Sequence, residues 1–117
     1  MRPRAGPCPS RLSQSLEGCT TICSQALAAY LDPAEARESG FGQTLLSAIA
    51  AMQTAVSHDT ESTPERRRSA LQIAAKVCHA AAGECRRHGF DVPLLRAADA
   101  CERAATLCEN ALRYHDA

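Results

Sequence analysis

KVCHAAAGECRRHG, residues 76–89, carries two cysteines seven residues apart in an alanine-rich run that ends in histidine and glycine. Followed upstream, the spacing holds. Leu71, Ala74, Cys78, Ala81, Cys85 and His88 recur every three or four residues, which is one seam of an amphipathic helix. Ser62-Thr63-Pro64-Glu65 supplies capping oxygens, a first-turn proline and an acidic residue near the positive end of the helix dipole, so the helix opens there. Gly89 is the expected C′ residue.

Downstream, Asp91 caps a further helix and Pro93 fits its first turn. Leu94, Ala98, Cys101, Ala105, Cys108 and Leu112 form its stripe. On the other side, Ser57 to Thr63 reads as a polar loop. It is preceded by a helix from about Gln43 to Ser57 with Leu45, Ile49, Met52 and Val56 inward. Asp32-Pro33-Ala34-Glu35 starts a short helical turn that Gly40-Phe41-Gly42 is expected to stop. The first helix carries Leu12, Leu16, Cys19, Cys23, Ala26 and Tyr30 on one face. Residues 1–11, with prolines, arginines and no periodicity, read as a flexible, disordered N-terminal arm, and Cys8 within it as an incidental exposed thiol. No stretch alternates as a strand does. The expected fold is all-α: an antiparallel four-helix bundle over residues 12–117, its alanine seams letting the backbones approach closely.

Composition narrows the function. Thirteen basic residues balance thirteen acidic ones, which argues against a nucleic-acid or anionic-membrane surface. No segment reaches the roughly 18 consecutive apolar residues of a membrane span. The start of the chain has no apolar signal core, so a cytoplasmic protein with reduced thiols is expected. Phosphate loops, nucleophile elbows and zinc-protease motifs are missing, and an enzyme is the least expected class.

Seven cysteines are many for 117 residues. Cys78 and Cys85 lie about 10 Å apart along their helix, too far to share an ion, so their partners must come from other helices. If the last two helices turn back on each other near Gly89 to Pro93, Cys85 approaches Cys101 and Cys78 approaches Cys108, both pairings being centred on position 93. Cys19 and Cys23 are neighbours on one helical face, about 5–6 Å apart at Cβ, and suit a small soft ion of low coordination number. Cu(I) fits that description better than zinc, which wants four converging ligands. A buried reduced cysteine is also simply a small hydrophobe, and each of these six lies where small hydrophobes belong. Spacing alone leaves packing and metal binding both open.

VCHAAAGECRRHG (77–89), the Gly89–Asp91–Pro93 turn and CERAATLCENAL (101–112) resemble the paired last helices of the cysteine-rich copper storage proteins, a bacterial family of four-helix bundles. In that family, cysteines in CxxxC and CxxCAxxC steps line the bundle interior, and the third helix often ends in Cys-x-x-His. Cys78, Cys85, Cys101 and Cys108 fall on its cysteine positions, and Ala75, Ala82 and Ala105 on its recurrent alanines. Cys19-Thr-Thr-Ile-Cys23 is similar to the CxxxC of its first helix. The resemblance spans about Leu12 to Arg113. It implies Cu(I) held by Cys19, Cys23, Cys78, Cys85, Cys101 and Cys108, with copper ions as the partner, and makes a homo-oligomer an expected state. The chain departs from the pattern where Ala74, Ala81, Ala104 and Ala111 replace usual cysteines, Leu71 replaces another, and the second helix has none. Alternate rungs of the thiolate ladder survive, so a reduced capacity is expected. The alternative is a metal-free interaction or assembly protein of the same ancestry. His88 reads as a helix-end cap or an accessory ligand at the bundle mouth; His58, His79 and His115 read as surface residues.

Overall fold

The computed structural model describes residues 10–61 and 63–115. The arm expected over residues 1–11 therefore lies outside them except for its last two residues, and Cys8 lies outside altogether, as does the side chain of His115. The described residues form α1 (Arg11–Tyr30), α2 (Pro33–Glu38), α3 (Gly40–Glu61), α4 (Pro64–His88) and α5 (Val92–His115), with no strand among them. The four long helices pack in a ring: α1 and α4 each lie against both α3 and α5. With the short α2 tucked against α3, this is the expected antiparallel four-helix bundle.

The helix starts follow from local chemistry. Ser10 accepts from the amide of Ser13 at 3.0 Å and caps α1. Asp32 and Glu35 form a reciprocal capping box on α2, at 2.8 and 3.0 Å. Thr63 accepts from the amide of Arg66 and caps α4, with Pro64 in the first turn. Each such cap satisfies a donor that the helix itself cannot.

Three boundaries differ from the sequence expectation. Gly40–Gly42 does not stop a helix but opens α3, because the amide of Gly42 donates to Ser39 Oγ at 3.0 Å and nucleates the first turn. Glycine is required there by packing: a Cβ on Gly42 would sit 2.7 Å from Ala36 Cα, within the backbone of α2. At its other end α3 runs on through the expected loop to Glu61, its last turn anchored by the bonded carboxylate of Asp59. Gly89 ends α4 in extended geometry, φ 169°, rather than a left-handed turn. Asp91 accepts the first backbone bond of α5 from Leu95, while its carboxylate accepts from the Tyr30 hydroxyl at 2.8 Å and ties α1 to the turn.

Gly42→Ala is expected to lower stability by about 1–3 kcal/mol through overpacking against α2. Urea titration checks it. An unchanged midpoint would mean that α2 shifts aside at no cost.

The core is built of small residues. Leu16, Leu45, Met52 and Leu71 are its largest fully buried side chains, Leu27, Phe41 and Leu94 join them, and alanines and cysteines fill the rest. Met52 and Leu45 lie inward on α3 as expected, with Phe41, Ala48 and Ala55 beside them, while Ile49 and Val56 pack at the edge.

Candidate metal centre

The seams identified in the sequence converge on one interior. Cys19 and Cys23 come from α1, Cys78 and Cys85 from α4, Cys101 and Cys108 from α5. Each is at most 1 % exposed, and all six thiols are free. No cysteine comes from α3, whose only soft donor is the fully buried Met52 thioether, a weak one that the sequence seam placed but did not single out.

Surface side-chain contacts show how α4 and α5 are aligned. Arg86 meets Glu102 at 2.7 Å and His79 meets Glu109 at 2.9 Å. Both pairs are centred on position 94, so Cys85 and Cys101, like Cys78 and Cys108, lie within about 3 Å of a common level along the axis. The sulfur–sulfur hydrogen bond is nevertheless elsewhere. Cys23 Sγ lies 3.5 Å from Cys101 Sγ, across the α1–α5 contact. Nothing in the spacing of either helix signals that pairing, because it depends on how α1 is aligned against a helix far away in sequence. Among the described residues, no three Cys, His, Asp or Glu side chains are grouped so that they would hold one metal ion.

Burial governs the chemistry of the thiols. Burial, reinforced by the neighbouring Cys108, pushes Cys78 up to about 12 from the ordinary 9.0. Cys108 is pushed up to about 12 by burial and then by Cys19, and Cys85 to about 11 by burial and then by Cys23. Cys19 is raised by burial, which outweighs the pull of the Arg103 guanidinium. In the contacting pair, the hydrogen bond from Cys101 lowers Cys23, and the same bond raises Cys101. Around the lowered Cys23, the site is thus a set of soft, water-excluded sulfurs in which Cys19, Cys78, Cys85, Cys101 and Cys108 hold their protons at neutral pH. A soft cation entering it must displace protons.

His88 takes no place among these sulfurs. Its exposed ring stacks on Phe41, with centroids 4.2 Å apart and planes 9° from parallel, and meets Tyr30 edge-on. Within the basic run Arg66–Arg68, Arg67 turns its Nε inward to Asp59 at 3.2 Å.

Six free thiols are thus gathered inside an alanine-cored helical bundle. The sequence model of the copper storage protein family matches residues 9–113, most of the chain, and the chain belongs to that family. No curated protein and no solved structure matches it.

Proposed function

We propose that this chain is a Cu(I)-storing bundle of reduced capacity that works in the cytoplasm, with Cys19, Cys23, Cys78, Cys85, Cys101 and Cys108 as the ligands and copper as cargo. One observation carries the reading: six reduced thiols, on three of the four bundle helices, line a single buried core. Thiolate softness selects Cu(I) over calcium, magnesium or higher-coordinate ions, and two or three sulfurs suffice for it. Membership of the copper storage family supports the same cargo. No helix among the described residues is long and apolar enough to cross a membrane. A homo-oligomer would shield further surface of a core built from small side chains.

The second reading, a metal-free interaction or assembly bundle, is favoured by the dispersed sulfurs, which form no group of three among the described residues. Titration of the reduced protein with Cu(I) against a chelator of moderate strength separates the two. Storage predicts uptake of a few ions, about one proton released per thiolate engaged, and a thermal stabilisation of roughly 4 kcal/mol at a thousandfold excess over the dissociation constant. No uptake would leave packing as the sole role of the cysteines.

A further inference from the structure

Cys23 and Cys101 are the one thiol pair among the described residues within hydrogen-bonding distance, at 3.5 Å. They belong to different helices, so joining them strains neither helix's own backbone. A disulfide needs sulfurs about 2.05 Å apart, leaving a closure of roughly 1.5 Å for side-chain rotation and a slight approach of the helices. Ala26 lies one turn from Cys23, and Ala97, Ala98, Ala104 and Ala105 lie one turn to either side of Cys101. All are buried and small, and they oppose no bulk to that approach.

We propose that Cys23 and Cys101 form a two-electron redox pair that reduces Cu(II) to Cu(I) inside the bundle. Two S–H bonds break and one S–S bond forms; two Cu(II) ions each gain one electron, and two protons leave to solvent. Cys19, Cys78, Cys85 and Cys108 remain reduced, so the oxidised chain keeps four of its six buried thiols as soft donors for Cu(I). Both sulfurs of the pair are fully buried. That favours a bare ion, able to follow the route of the cargo, over a bulky disulfide oxidant. The fate of the Cu(I) rests on the storage reading, whereas the electron transfer does not.

The test uses the full chain carrying Cys8→Ser, so that only the six described thiols report. Reduced, metal-free protein is mixed without oxygen with Cu(II) sulfate and a chromophoric Cu(I) chelator. Expected are about two Cu(I) per chain, loss of about two thiols, and one cross-linked peptide joining Cys23 to Cys101. Oxidised glutathione should act at least about tenfold more slowly, as access limits thiol–disulfide exchange. Cys101→Ser, with its fold verified by circular dichroism, should slow Cu(I) production at least about tenfold. Absence of Cu(I), cross-links scattered over several cysteine pairs, or a Cys101→Ser variant at the parental rate would each overturn the proposal. Direct loading with Cu(I) under reductant is run in parallel. Storage without Cu(II) reduction removes this proposal alone, and reduction without storage removes only the storage reading.

Discussion

Raising the pH from about 9 towards 12 is expected to unfold the metal-free protein, and copper is expected to oppose the unfolding. Cys78 and Cys108 are pushed up to about 12 and Cys85 to about 11 in the folded state, against an ordinary 9.0. The folded chain therefore keeps protons that the unfolded chain releases. Their contribution to stability is complete below pH 9 and is lost as pH rises through the folded values. At about 1.4 kcal/mol per unit, Cys78 and Cys108 each carry roughly 4 kcal/mol over that window and Cys85 nearly 3. Such a sum rivals the whole stability of an ordinary domain, about 5–15 kcal/mol. Urea or thermal melts at stepped pH measure the slope. Cys78→Ala combined with Cys108→Ala should flatten it markedly, because the titrating groups are gone while the core loses only two sulfurs. A variant as steep as the parent would place the alkaline transition elsewhere, for instance at Tyr30. With Cu(I) bound, the same thiols are already deprotonated and paired with charge, so the transition should move to higher pH.

This sensitivity follows from how the core is built. Large side chains would protect the interior by area alone, but here alanine does much of the filling and the sulfurs supply a good part of the buried volume. A thiol is a satisfactory small hydrophobe only while it holds its proton. The sulfurs that fill the interior thus also make the metal-free fold vulnerable to base, chiefly through Cys78, Cys85 and Cys108.

What the sequence disclosed is what local periodicity controls. The seams through Leu16, Cys19 and Cys23, through Leu71, Cys78 and Cys85, and through Leu94, Cys101 and Cys108 are all buried as read, since a helix's inward face is a property of its own spacing. Proline and the capping residues fixed the starts of α2 and α4 for the same reason. Gly42 was misjudged because glycine signals either a break or a close approach, and only the position of α2 tells which. The contact between Cys23 and Cys101 was out of reach, as its two residues lie 78 positions apart and no turn links their helices directly. Asp59 reads as one polar residue in an expected loop, although partners from the starts of two other helices, α1 and α4, meet on it.

Asp59→Ala is expected to cost about 3–5 kcal/mol, the range for removing one partner of a buried charged pair. The Asp59 side chain is 5 % exposed. It accepts from the hydroxyls of Ser10 and Ser13, the latter at 2.9 Å, and from Arg67 Nε at 3.2 Å. Burial alone would push its carboxyl up, but these hydrogen bonds and the Arg67 charge outweigh burial and hold it below the ordinary 3.8. Its contribution to stability is consequently present above that value and is lost as pH falls through the lower folded one. Asp59→Asn keeps the volume and one acceptor oxygen, so it should cost less than the alanine variant, yet both should lose this part of the acid dependence. Urea melts at neutral pH and near pH 3 give both readouts. Neutral-pH stability unchanged in both variants would mean that water replaces the carboxylate at no cost. The effect should also reach the sulfurs: Asp59 pins the start of α1 to the end of α3 and the first turn of α4, and α1 carries Cys19 and Cys23 into the core. With that pin removed, α1 is free to slide along α5, and disulfide closure between Cys23 and Cys101 under Cu(II) should slow more than the global stability loss alone would explain.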